Sequence, residues 1–144
     1  RLMNEYFERF GAVRDYLEGV VAQARKDGHT STIMGRRRYL PGLTSQNRQV
    51  RESAERMALN APIQGSAADI IKFAMVLVQD AIDKAGLESR MLLQVHDELV
   101  FEVKSSEADK LEEIVREQMG QAAELSVPLS VGFGVGRNWR DAAH

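Results

Sequence analysis

Two short apolar runs, Met91-Leu92-Leu93-Gln94-Val95 and Leu99-Val100-Phe101-Glu102-Val103, are separated only by His96-Asp97-Glu98. A parallel crossover takes a dozen or more residues, so strands joined this tightly must pair antiparallel, as a hairpin. The connection breaks a local rule. Tight hairpins favour Asn-Gly or Asp-Gly because their central residues need positive φ, and here there is no glycine. A broken rule between two well-formed strands often marks a functional position. It also sets adjacent carboxylates at the tip of a rigid element. Side by side they repel, which favours a nearby divalent cation. Magnesium takes hard oxygen ligands, commonly one or two carboxylates with water and substrate phosphates. Two such ions can clamp the attacking and leaving oxygens of a phosphoryl transfer. One hairpin cannot complete that site, so a further carboxylate must face it. A zinc site from His96, Asp97 and Glu98 fits less well, since neighbouring strand side chains point to opposite faces. A solvated turn would use the same residues, and the turn alone leaves these readings open.

The rest of the chain supplies helices and a second small turn. Leu2 to Phe10 and Val13 to Ala24 carry helical spacing broken at Gly11, and Gly28 closes the second segment as a C-cap. Thr30 to Ile33 and Arg38 to Leu40 flank Gly35, which suggests a small hairpin stopped by Pro41-Gly42. Ser45 to Leu59 reads as helix, Pro62 predicts a kink or fresh start, and Ser66 to Ala85 predicts a helix apolar nearly all round and ended at Gly86. Ser106 and Asp109 suggest a capping pair for a helix with Leu111, Ile114, Val115, Met119 and Ala122 on one face. Leu129, Val131, Phe133 and Val135 alternate with Ser130, Gly132, Gly134 and Gly136, which predicts a strand with one bare face. The glycines there look like a nucleotide-binding loop only superficially, with no following helix to hold a pyrophosphate, and read as clearance for a neighbour. The fold class expected is α+β: a small antiparallel sheet covered by helices, preceded by a mainly helical part.

Two further groups of residues could grip a polyanion. Arg56 and Asn60 share a helical face at four-residue spacing, Gln64 follows, and Arg48 and Arg51 precede them. All are hydrogen-bond donors, and every base pair offers minor-groove acceptors, so such a row could sense duplex shape without reading sequence. A polar face meeting water is the plainer reading. Arg36, Arg37 and Arg38 cannot all pair internally, which suits contact with a phosphate backbone or a solvated loop. Charge is unevenly spread: eight Lys/Arg against three acids from Arg25 to Arg56, nine acids against three bases from Asp97 to Glu124. A polyanion could approach the first stretch and would be repelled by the second without metal ions. Absent cysteine excludes disulfides and Cys-ligated metals. No continuous apolar run approaches the roughly 18 to 20 residues of a membrane span, and no secretory leader opens the chain. A start at Arg1 inside a helical pattern suggests a piece cut from something larger.

Three segments in order and spacing resemble one family: Gly35-Arg36-Arg37-Arg38-Tyr39-Leu40-Pro41, then Glu55 to Asp69 with Arg56-Met57-Ala58-Leu59-Asn60-Ala61-Pro62-Ile63-Gln64-Gly65, then Gln94-Val95-His96-Asp97-Glu98-Leu99-Val100-Phe101-Glu102. The chain resembles family A DNA polymerases of the bacterial DNA polymerase I type, and the last segment is similar to motif C. The resemblance implies a right-hand polymerase, with residues 1–49 ending the fingers and residues 50–144 forming the C-terminal palm. It implies that Asp97 is a catalytic metal ligand, that Glu98 supports it at the metal, and that His96 lies near the primer 3′ end. Arg56, Asn60 and Gln64 would hold template and primer, with Arg51, Arg36 and Arg37 also on DNA. The implied reaction is primer extension with dNTPs under two Mg2+ ions, in replication and repair in the bacterial cytoplasm at the nucleoid. The partners implied are primer-template DNA, dNTP and the remainder of the polymerase chain, with no membrane. The family's other catalytic aspartate, its nucleotide-gripping fingers helix, the thumb and any exonuclease are missing, and Trp139 to His144 looks like a natural end. The expectation is therefore a fragment that cannot extend a primer alone. Rival readings are a non-catalytic DNA-binding module and a metal-dependent hydrolase around His96, Asp97 and Glu98.

Overall fold

The computed structural model of the chain describes residues 2–142, with side chains from Tyr6 onward. Arg1 and the Ala143-His144 end, both read above for what they say about chain boundaries, lie outside the described residues. The architecture is mixed helix and small antiparallel sheets, and the chain divides into two compact units, Arg1–Ala67 and Ala68–His144.

In the first unit, α1 (Leu2–Arg9) and α2 (Gly11–Asp27) break at Phe10, and Gly11 opens α2. Gly28 ends α2 in the left-handed region (φ 74°), where its N–H reaches the Ala24 carbonyl at 2.8 Å, as its lack of a Cβ allows. Strands β1 (His29–Ser31) and β2 (Arg37–Tyr39) pair antiparallel, Thr30 opposite Arg38. The turn between them closes with Gly35 at φ 82° and Thr32 N–H on the Arg36 carbonyl at 2.9 Å. The core here is small: Ala24, Leu40, Leu43, Ala54 and Ala58, flanked by Val21.

Helix α3 runs Arg48–Ala85. It starts three residues later than the spacing suggests because Asn47 caps it, its Oδ1 accepting the N–H of Gln49 at 2.9 Å and of Val50 at 3.5 Å. Of the two outcomes expected at Pro62, a fresh start does not occur: the helix is continuous through it. One lost hydrogen bond and a crowded ring cost about 3 kcal/mol. Buried Ala54 and Ala58 anchor the helix before the proline, and Ile71, Ala74, Val78 and Ile82 anchor it from more than two turns beyond. By length and composition alone α3 also contains a stretch long and apolar enough to cross a membrane, although its apolar residues are not continuous. Val78 and Ile82 spend part of that apolar character on packing within the second unit. Gly86 (φ 65°) closes α3 with paired bonds, Gly86 N–H to Asp83 and Leu87 N–H to Ile82, a Schellman ending.

In the second unit, β3 (Arg90–Val95) and β4 (Glu98–Glu102) form the expected hairpin, with a register irregularity between Met91 and Leu93. Met91, Phe101 and Val103 pack on a core of Val78, Ile82, Leu111, Ile114 and Val115, which α4 (Ala108–Gly120) completes. The expected Ser106–Asp109 capping pair does not form. Ser106 lies in a 3-10 turn, Ser105–Glu107, and α4 begins without a side-chain cap bond. Glu107 is used elsewhere: its carboxylate accepts the N–H of Glu88 and of Ser89 (2.9 Å) and the Ser89 hydroxyl (2.7 Å). Nor is Leu129 to Val135 a strand. Val131 and Phe133 pack on the core as the alternation predicts, but Val135, expected on the same face, is exposed, and no described strand pairs with this backbone. Alternation selects a face; a strand also needs a hydrogen-bonded neighbour. A short helix α5 (Trp139–Ala142) follows.

Candidate functional site

The hairpin tip is tighter than the sequence suggests. Val95 pairs with Glu98, so Glu98 is the first residue of β4 and the turn is His96-Asp97 alone. His96 takes φ 54°, the one positive φ outside glycine among the described residues. A left-handed residue with a Cβ costs roughly 1–2 kcal/mol. Part of the restraint comes from Gln94, whose Nε2 donates to the His96 carbonyl at 2.6 Å. His96, Asp97 and Glu98 are all exposed. Asp97 makes no ion pair or hydrogen bond among the described residues, so its carboxylate is available to a cation. Glu98 receives the Trp139 indole N–H on Oε2 at 3.4 Å.

The donor set suits part of a magnesium site. Two neighbouring carboxylates match the one or two that this ion commonly takes from protein. No group of three or more His, Asp or Glu able to hold a metal exists among the described residues. His96, Asp97 and Glu98 therefore do not converge as a three-ligand zinc centre, which removes the geometric support for a hydrolase built on them.

In the first unit, Arg56, Asn60 and Gln64 are exposed at four-residue steps along unbroken α3, so the row is straighter than a restart at Pro62 would make it. The arginine turn is mounted on the same helix. Ile33 N–H donates to Ser66 Oγ at 3.0 Å, and Ser66 itself bonds back to the Pro62 carbonyl. Gly65 admits the turn: a Cβ there would lie 2.7 Å from Thr32 Cγ2. A cleft of about 210 Å³ gathers Arg36, Arg37, Arg38 and Gln64. Arg37 is exposed; Arg38 spends one nitrogen on Met57 Sδ at 3.7 Å. Arg51 is partly committed, its Nη1 bonding the Ser45 carbonyl at 2.9 Å, and Arg48 pairs with Glu52.

Residues 1–141 match the family model of DNA polymerase family A. The chain belongs to that family. Among relatives in DNA polymerase family A, DNA polymerase I of Mycobacterium leprae is 66% identical over 142 residues, 99% of this chain and 16% of that protein. DNA polymerase I of Bacillus caldotenax is 49% identical over 140 residues. A solved POL domain of Pol1 from M. smegmatis, in complex with DNA primer-template and dNTP, superposes with TM-score 0.97 at 68% identity over 99% of this chain and 25% of its own. The chain thus spans about a sixth of the length of these family A relatives.

Two contributors escaped the sequence reading. Gln94 reads there as a strand residue of the third segment, and Trp139 as part of a chain end. Each acts through a partner distant in sequence or through a backbone carbonyl, and no spacing rule exposes such a bond.

Proposed function

We propose that this chain is the C-terminal palm, with the end of the fingers, of a DNA-directed DNA polymerase acting in replication and repair at the bacterial nucleoid. Residues 1–49 belong to the fingers and residues 50–144 to the palm in this reading. The observation that carries it is Asp97, exposed and unpartnered at the tip of a two-residue hairpin turn, in a chain of DNA polymerase family A. The complex of the M. smegmatis domain with primer-template and dNTP supports the choice of substrates.

In the reaction, the primer 3′ hydroxyl loses its proton to solvent, its oxygen forms a bond to the α-phosphorus of a dNTP, the bond from that phosphorus to the bridging oxygen breaks, and pyrophosphate leaves. Mg2+ when bound supplies charge neutralisation at the attacking and leaving oxygens. Asp97 and Glu98 would hold it, together with a carboxylate from the remainder of the polymerase. His96, at the same turn, lies beside the primer end. Arg56, Asn60 and Gln64 donate to minor-groove acceptors of the primer-template, a contact sensitive to pair shape rather than to sequence. Arg36 and Arg37, with the remaining donors of Arg51, face backbone phosphates. The rest of the chain is needed for turnover, so the 144-residue chain alone does not extend a primer.

The test uses the complete polymerase. Asp97→Ala is expected to lower turnover by more than about a hundredfold, beyond the loss usual for groups that merely orient a ligand, while primer-template affinity holds. Arg56→Ala is expected to weaken primer-template binding about tenfold, as for one lost donor set, with a smaller effect on turnover at saturating DNA. Full turnover by Asp97→Ala, or primer extension by the 144 residues alone, would refute the assignment.

A further inference from the structure

The terminal turn of the second unit sets one neutral donor on the motif. Trp139 Nε1 donates to Glu98 Oε2 at 3.4 Å across 41 positions of sequence. Its seat is built by several independent features. Asn138 caps α5, its Oδ1 accepting the Asp141 N–H at 3.1 Å and its Nδ2 donating to Asp141 Oδ2 at 2.7 Å. Gly136 lies against the same turn so closely that a Cβ would stand 2.6 Å from Ala142 N and from the Asp141 carbonyl carbon. Upstream, Arg116 Nη1 holds the Val131 carbonyl at 2.6 Å, and its guanidinium sits 5.9 Å from the Phe133 ring. The segment leading to Trp139 is therefore tied to α4, while Glu98 is fixed by its pairing with Val95.

We propose that Trp139 is a positioning residue for the cation site: its N–H fixes the orientation of the Glu98 carboxylate beside Asp97. The proposal rests on the assignment of Asp97 and Glu98 to a divalent cation. The choice of donor has a physical reason. A lysine or arginine in the same place would offset the carboxylate charge that the cation needs. An indole N–H is donor-only and neutral, so it engages one oxygen and leaves the charge available at the other. Partners of this kind restrict ligand orientation and so raise metal affinity.

In the complete polymerase bound to primer-template, Mn2+ affinity is read by electron paramagnetic resonance, alongside the Mg2+ dependence of single-nucleotide incorporation. Trp139→Phe keeps the aromatic bulk and deletes the donor. It is expected to weaken Mn2+ binding about tenfold, the lower end of the range for groups that orient a ligand, and to move the Mg2+ requirement upward by the same factor, with primer-template Kd and Tm unchanged. Gly136→Ala keeps the indole but displaces its seat, and should reproduce the loss. Mn2+ affinity within about twofold of the parent for Trp139→Phe overturns the proposal, as does a fall in Tm with no change in cation affinity. Asp97→Ala separates the two levels. If it retains cation binding and turnover, the carboxylate assignment fails and Trp139's role with it. If it loses both while Trp139→Phe loses neither, the role of Trp139 alone falls.

Discussion

His96 holds the hairpin tip at φ 54°, a conformation that glycine reaches at far lower cost. Two residues separate β3 from β4, so the backbone must pass through the left-handed region whatever side chain stands there. The histidine at that point costs local stability and, in the proposed function, supplies an imidazole at the same turn as Asp97. His96→Gly is therefore expected to stabilise the hairpin by up to about 1 kcal/mol, the steric relief less the added chain entropy. On the role proposed for His96 beside the primer end, the same change in the complete polymerase should lower nucleotide incorporation. Amide exchange at Val95 and Glu98 together with single-turnover kinetics checks both halves. Slower turnover without gained protection would mean that the backbone carries no strain there. The glycine-free turn was legible from the sequence; the Gln94 bond that restrains it was not, since it joins a side chain to a carbonyl two residues on.

The segment after α3 is held by one acid. Glu107 accepts hydrogen bonds from Ser89 and from the Glu88 and Ser89 amides, and these donors hold its carboxyl below its ordinary value of 4.5. Ser89 is buried and passes the restraint on, its Oγ accepting the Lys104 N–H at 3.1 Å. The sign follows from linkage. A depressed folded-state pKa means a contribution fully present above the unfolded value and lost as pH falls through the folded one. Protection of the Glu88 and Ser89 amides, corrected for intrinsic exchange, should fall as pH drops below 4.5. In Glu107→Ala it should be low and flat over the same range. The neighbouring Lys104–Glu88 pair is exposed and adds little. A capping pair was the natural reading of Ser106 and Asp109, because capping depends on local spacing. The structure instead spends the acid on Ser89, 18 positions earlier, a partner that no local spacing rule indicates.

At the scale of the whole molecule, the second unit leaves large apolar side chains in solvent: Phe73 at 46%, Val76 at 57%, Leu92 at 56% and Leu93 at 43% exposure. The hairpin also stands as a two-stranded sheet with open edges. Both are sources of association. The purified 144-residue chain is expected to sediment above its 16.1 kDa monomer mass at micromolar concentration. Leu92→Lys with Val76→Lys should shift it toward monomer by placing charge on those faces. Sedimentation velocity at several concentrations decides, and a monomer at every concentration would show that these surfaces do not self-associate. In the complete polymerase the rest of the chain is proposed to lie on them.

Periodicity and turn chemistry determined much by themselves. The apolar runs around His96-Asp97 left antiparallel pairing as their only connection, Gly28 and Gly86 marked helix ends, and three ordered segments carried the family resemblance. Those signals are local or are preserved as runs of residues, so a linear reading reaches them. Packing decided the rest. Helix α3 ran on through Pro62 between buried anchors on either side, and with no described strand beside it Leu129 to Val135 did not become one. Folding of 136–142 brought Trp139 to Glu98. A hydrogen bond between residues 41 apart has no period and no motif, and only the folded chain brings its ends together.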